Sequence, residues 1–323
     1  MNKKILYITH KNDFWGTTRT FLREEHNRII KDDRYIVCDL INKYNENIII
    51  THKPYALCAT WHTIKNEYQR KYANNIFYKS FNLYNNRFLM LHDIHNYTFG
   101  SFNNLVNNIK KYNNVISLYD NYELDKIKEL CGNSVKFHIL PHHTETDIFK
   151  DHKLEKIYDV TLYGACRQTP YPFRHRLLNL LRSYKNKSPI KINIIPDIPW
   201  IGRCAKYTGL GLAKILNQSY IAIATKSKYD YLLKKYFEIS ACKALLVGDM
   251  PESGKNIWND NYVNINNKMT NKEILDILVN TVDKLHKNDN ELNKKINTMY
   301  DIMQKNYSLS KYYDKLYNII TKN

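Results

Sequence analysis

The chain has 323 residues, 43% hydrophobic and 13% aromatic, with 49 Lys and Arg against 31 Asp and Glu for a formal charge of +18. That apolar content excludes a disordered, charge-dominated polypeptide, and the length is about twice an ordinary domain, enough to bury two cores. The charge favours anionic partners, but the lysines are spread along the chain and form no dense basic run, which disfavours a dedicated nucleic-acid-binding protein.

Lys4 to Thr9 (KILYIT) reads as a buried parallel strand, followed by a polar loop with Trp15 and Gly16 and a helical segment from Thr18 to Ile30. Short apolar runs recur at Tyr35 to Leu40, Ile48 to Thr51, Phe88 to Leu91, Val115 to Leu118 and Lys136 to Leu140, separated by polar stretches with helical periodicity. Strands alternating with helices predict a parallel, doubly wound sheet. Pro141 to Phe149 (PHHTETDIF) and the charged stretch behind it predict an interdomain linker. A second series of strands follows at Tyr158 to Tyr163, Lys191 to Ile195, Tyr220 to Ala224 and Ala244 to Gly248. From Asn271 the pattern is helical to the end, with Ile274, Leu275, Ile277, Leu278 and Val282 on one face.

The N-terminal apolar run ends within about six residues, too short for a signal peptide or a membrane span. The six cysteines form no C-x-x-C pair, so neither a zinc site nor a disulfide framework is expected, and the protein reads as cytoplasmic.

Three stretches can carry chemistry. The turn after the second series' first strand runs from Gly164 through Arg167 to Arg174 and into a helix. A small residue leaving a strand, then basic residues at a helix start, makes a phosphate site from backbone N–H groups, helix dipole and guanidinium. The segment from Asp230 to Asp249 places Asp230 and Glu238 about two helical turns apart if it is helical throughout, the alternative being that Asp230 precedes the helix, and a carboxylate at a helix start can accept both hydroxyls of a ribose. His92, Asp93 and His95 follow an apolar strand, where histidine can meet a sugar hydroxyl or a developing charge and the aspartate can bind hydroxyls or orient a ring. An Asp-x-Asp metal clamp, a G-x-x-x-x-G-K-[ST] loop, a G-x-G-x-x-G fingerprint and a G-x-S-x-G elbow are all absent, which removes triphosphatase, dinucleotide dehydrogenase and the commonest hydrolase readings.

In order, ILPHHTETDIF, YDVTLYGACRQTPYPFRHRLL, LAKILNQSYIAIAT and KYFEISACKALLVGDMPE resemble segments of the group 1 glycosyltransferases of the GT-B class, particularly the spore-maturation glycosyltransferase-like subset. The last segment is the most specific, and together they span residues 138 to 265. The resemblance implies an α/β fold of two Rossmann-like, doubly wound domains facing a central cleft. Residues 1–148 would bind the acceptor through Trp15 and Gly16, 149–305 the nucleotide sugar, and 306–323 would form a helix crossing back. It implies sugar transfer from a UDP- or GDP-linked donor to a glycan, lipid or protein, retaining and without a metal or other cofactor, with peripheral membrane contact as an option. By position, Glu238 would hold the ribose and Arg167 would face the diphosphate beside Gly164 and Arg174. Lys234 and Lys235 would supply positive charge before Phe-Glu, and Asp230 would be the first acid of an E-x7-E pair. Lys235 stands where the family has Arg, and Lys243 where it has Gly. A catalytically inactive sugar- or nucleotide-binding protein is the alternative reading, with a basic nucleic-acid-binding protein behind it.

Overall fold

The computed structural model describes residues 3–9, 29–39, 56–60, 84–91, 101–195 and 205–322. It divides into two compact units, Met1–Pro141 with Tyr312–Asn323, and His142–Lys311.

The first unit holds strands β1 (Ile5–Thr9), β2 (Tyr35–Asp39), β3 (Ala56–Thr60), β4 (Arg87–Leu91), β5 (Asn114–Ser117) and β6 (Lys136–Ile139). They form one sheet in the order β2-β1-β3-β4-β5-β6, with every pair parallel. Helices α1 (Phe102–Ile109) and α2 (Tyr122–Cys131) are begun by the side chains of Ser101 and Asn121, which accept from the amides of Asn104 and Leu124. Phe88, Leu89 and Leu91 of β4 and Val115 and Ile116 of β5 are fully covered, as expected of strands with both faces packed.

Strand β3 was not legible in the sequence. Its residues, ALCAT, hold one large apolar side chain and no Val or Ile, so the usual strand signal is weak there. The run expected at Ile48 to Thr51 lies outside the described residues, as do Trp15, Gly16 and all but the end of the helix expected from Thr18.

The second unit runs β7 (Tyr158–Leu162), α3 (Pro172–Lys185), β8 (Ile192–Ile194), α4 (Gly209–Asn217), β9 (Ser219–Thr225), α5 (Lys234–Ala241), β10 (Leu245–Asp249), α6 (Glu252–Trp258), β11 (Val263–Asn264), α7 (Asn271–His286) and α8 (Asn290–Asn306). Its parallel sheet has the order β11-β10-β9-β7-β8. Strand alternation divides the core in two. Val160, Leu162, Ile221, Ile223, Leu245 and Val247 pack with Leu177 of α3 and with Ile274, Leu278 and Val282 of α7. Ala222, Ala224 and Leu246 face the other way, into a cluster with Leu216 of α4, Phe237 of α5, Trp258 of α6 and Met303 of α8. Gly248 is required by the close approach of β9, since a Cβ there would lie 1.6 Å from the Ala224 carbonyl oxygen. Leu275 and Ile277, expected on the buried face of α7, are only partly covered at its margin.

The stretch expected as a linker is part of this unit. Thr144, Glu145 and Phe149 are buried, and the Thr144 amide donates to the Tyr307 carbonyl at 2.8 Å. Its polar residues read as exposed loop, yet His143, Thr144 and Glu145 are buried.

The last helix, α9 (Leu309–Lys322), is grouped from Tyr312 onward with the first unit. There the Tyr35 hydroxyl donates to the Tyr313 carbonyl at 3.0 Å, the Arg34 guanidinium meets Asp314 at 3.0 Å, and the Tyr317 hydroxyl donates to the Lys3 carbonyl at 3.0 Å.

Candidate functional site

Parallel α/β sheets gather their ligand-binding groups where strands end and helices begin. In the second unit, β7 and the start of α5 bring one such group together. Tyr163 leaves β7 and is followed by Gly164 at φ +84. The Lys235 ammonium, from the first turn of α5, donates to the Tyr163 carbonyl at 2.7 Å and lies 4.5 Å from the centre of the Tyr163 ring. A Cβ on Gly164 would stand 2.5 Å from that ammonium, so glycine serves here both the left-handed backbone and the room for Lys235. The Tyr163 hydroxyl then donates to Glu238 Oε2 at 3.2 Å, one turn further along α5.

The N-terminus of α5 is unusual in its charge. Leu233 occupies the cap position and offers no side-chain acceptor, and the first turn carries no acid. Lys234 and Lys235 stand there instead, at the end of a helix that already carries positive dipole charge. Lys234 is neutralised from the neighbouring segment, its ammonium donating to Glu145 Oε1, with both side chains buried. His143 Nε2 lies 3.8 Å from the same oxygen. Burial works to raise the pKa of Glu145, but the charge of Lys234 and the nearby His143 outweigh it and hold the carboxyl down at about 2. Glu238 goes the other way. Burial pushes its carboxyl above the ordinary range, aided by the charge of Glu145 and opposed by Lys234, Lys235 and the Tyr163 hydroxyl.

Arg174 and Arg167 take different places. Arg174 is 1% exposed, and its guanidinium donates to Thr225 Oγ1 at 3.0 Å, the Thr225 carbonyl at 2.6 Å and the Ala165 carbonyl at 2.8 Å. It therefore ties the loop after Gly164 to the end of β9. Arg167 is exposed on that loop.

Asp230 does not share a helical face with Glu238. It precedes α5 with φ +59, and its carboxylate accepts from the Lys226 ammonium and, at 3.1 Å, from the amide of Glu252 at the start of α6. The intervening residues Tyr231 to Leu233 are outside the helix, which breaks the two-turn relation expected from spacing. Nearby Asp249 accepts from the Lys226 amide at 3.1 Å, and burial raises its carboxyl to about 6. His92, Asp93 and His95 lie outside the described residues, immediately past the end of β4.

Tyr163 and Glu145 were not foreseen as site residues. Tyr163 reads as one more apolar strand position, and Glu145 reads as solvated linker. Among the described residues, no group of three His, Cys, Asp or Glu side chains is placed to hold a metal ion, and no helix is long and apolar enough to cross a membrane.

No protein-family model and no curated protein matches the chain. Solved structures do. An α-glucosyltransferase in complex with UDP-glucose and DNA containing an abasic site superposes with a TM-score of 0.63 at 11% identity, over 98% of this chain and 99% of that one. The sucrose-phosphate synthase of Thermosynechococcus elongatus gives 0.60 at 7%, over 99% and 98%. TarM gives 0.55 at 15%, over 82% of this chain and 54% of TarM, so the chain spans about half of that protein's length. At these identities the likeness is one of fold. The chain has the α/β fold of the GT-B glycosyltransferases, with two parallel-sheet units.

Proposed function

We propose that this protein transfers a sugar from a UDP- or GDP-linked donor to a glycan, lipid or protein acceptor, with retention and without a metal. The observation that carries the reading is the convergence of Gly164, Lys235, Tyr163 and Glu238 where β7 ends and α5 begins. With Lys234 paired to Glu145, the N-terminus of α5 is left with no side-chain cap, no acid in its first turn and the positive charge of Lys235, which suits the protein alone poorly. The arrangement becomes favourable when an anion such as a diphosphate sits against it. Glu238 supplies a carboxylate within one turn of that anion for the two ribose hydroxyls, and exposed Arg167 on the glycine loop reaches toward the departing diphosphate. Each preorganised donor to that leaving group is worth about 3 kcal/mol, or roughly a hundredfold in rate. The similar α-glucosyltransferase structures hold UDP or UDP-glucose, which supports a nucleotide sugar as the donor class. Arg174 is assigned the positioning of the loop, and Asp230 the joining of α5 to α6.

The test is thermal unfolding and nucleoside-diphosphate release with a panel of UDP- and GDP-linked sugars, in the presence of a chelator. A rise in Tm with one donor and its nucleoside diphosphate, lost in Glu238→Ala, is expected. Absence of any shift with every donor and with both free diphosphates would sink the reading. Diphosphate binding with no turnover on any acceptor would leave a silent nucleotide-binding protein instead.

A further inference from the structure

Between Gly164 and Ile195 the chain carries seven Arg and Lys and no Asp or Glu. This stretch, free of acids, therefore carries seven of the net +18 charges, the rest being spread over the other residues. Two of the seven are used inside the fold. Arg174 is buried as described, and Arg176 donates to the Asn271 side chain and to the carbonyls of Asn267 and Met269. Arg182, Lys185, Lys187 and Lys191 are exposed, and none of them forms an ion pair among the described residues.

These four lie away from the candidate donor site. Because α3 joins the parallel neighbours β7 and β8, it runs back along the sheet. Its 14 residues put its C-terminus about 21 Å from the loop that carries Arg167. The helix dipole accounts for Arg182 and Lys185 in the last turn, but Lys187 and Lys191 lie beyond the helix. The acid closest in sequence pairing, Asp159, is buried and occupied by the Lys191 amide at 2.6 Å and by His286 at 2.7 Å. Along the preceding turns of α3 lies a groove of about 530 Å³ of mixed lining, in which Pro172 and Leu180 stand among Gln168, His175, Asn179 and Ser183.

We infer that this end of α3, with the groove, binds the phosphodiester backbone of a single-stranded nucleic acid. Four exposed cations with no ion pair among the described residues, next to a groove whose amide, hydroxyl and imidazole groups alternate with the apolar Pro172 and Leu180, match a strand that offers both phosphates and bases. A bilayer surface fits less well. No large apolar side chain between Gly164 and Ile195 is exposed, so this stretch offers little apolar area to lipid. The inference is independent of the sugar-transfer reading.

The experiment measures anisotropy of a fluorescein-labelled oligo-dT strand of about 20 nucleotides with the full chain across a KCl series. Wild type should bind, with affinity falling steeply as salt rises. The variant Arg182→Gln/Lys185→Gln/Lys187→Gln/Lys191→Gln should bind at least about tenfold more weakly at low salt, with a log–log slope shallower by about 3. A control of equal charge change, Lys268→Gln/Lys272→Gln/Lys294→Gln/Lys305→Gln, should keep its affinity within a few-fold. Thermal unfolding checks that both remain folded, and a Lys187→Gln single variant should lower the slope by about 0.7. No binding by wild type, an equal loss in the control, or loss of binding to phosphatidylserine vesicles with oligonucleotide binding intact would each overturn it.

Discussion

Glu145 and Lys234 form an ion pair inside the second unit, joining the segment that enters the unit to the first residue of α5. Both side chains are buried, so each is the other's counter-charge in a low-dielectric setting, and removing one strands its partner. Glu145→Ala should therefore lower stability by about 3–5 kcal/mol. Replacing both, as Glu145→Leu with Lys234→Met, should recover most of that loss. The pair also sets an acid limit. Because the Glu145 carboxyl is held down at about 2, its contribution is complete above the ordinary carboxylate pKa near 4.5 and is lost as pH falls from there toward 2. Urea titrations of the wild type and both variants between pH 7 and pH 3 check this. A double variant no more stable than Glu145→Ala would show that the pair is not the source of the effect.

Glu238 makes the opposite demand. Its carboxyl is raised, chiefly by burial, so ionising it at neutral pH works against folding. Glu238→Gln should leave Tm unchanged or increase it while weakening nucleoside-diphosphate binding by about tenfold or more. On the proposed reading the carboxylate form accepts the ribose hydroxyls, so affinity should rise as pH passes upward through its elevated pKa and then level off. Calorimetric titration with UDP and GDP from pH 4.5 to 8 measures it. A flat profile together with a large fall in Tm would make Glu238 a structural residue only.

Gly164 joins backbone conformation to site space. With φ +84 and a Lys235 ammonium 2.5 Å from where a Cβ would sit, Gly164→Ala carries left-handed strain of about 1–2 kcal/mol and also displaces the lysine from the Tyr163 carbonyl. In a Lys235→Ala background the second effect vanishes, so the same substitution should cost less. Equal costs in the two backgrounds, by chemical denaturation, would separate Gly164 from Lys235.

Much of the architecture was legible because parallel strands buried on both faces are written as short apolar runs, such as RFLML in β4 and LLVGD in β10. Strand β3 escaped because ALCAT is built of small residues whose burial depends on neighbours the sequence does not show. At the site, Gly164, Lys235 and Glu238 were readable as a local pattern of glycine, cation and acid at strand and helix ends. Glu145 was hidden, since a carboxylate among histidines and threonines looks solvated until Lys234 arrives from 89 positions away to cover it. The place of Asp230 stayed open for a related reason. Spacing alone assumes a continuous helix, and a left-handed residue at its start removes that relation.

Arg167 of the β7–α3 loop and Arg174 of the first turn of α3 provide the sharpest separation of scaffold from site. Arg174 is 1% exposed and satisfies the Thr225 hydroxyl and two carbonyls, so Arg174→Met leaves buried acceptors unpaired and should destabilise the protein by about 3 kcal/mol or more. Arg174→Lys keeps the charge but cannot reproduce three directed bonds, and should recover only part of that. Arg167 is exposed on the loop before α3, so Arg167→Ala should leave Tm unchanged within about a degree, as for surface substitutions in general. If Arg167 faces the departing diphosphate as proposed, the same variant should lower kcat more than it raises KM, because charge on the leaving group is greatest in the transition state. Thermal unfolding combined with steady-state kinetics on the donor identified from the panel decides the matter. A folded Arg167→Ala enzyme with unchanged kcat would remove this residue from the mechanism and leave Lys235 and the α5 N-terminus as the groups facing the diphosphate.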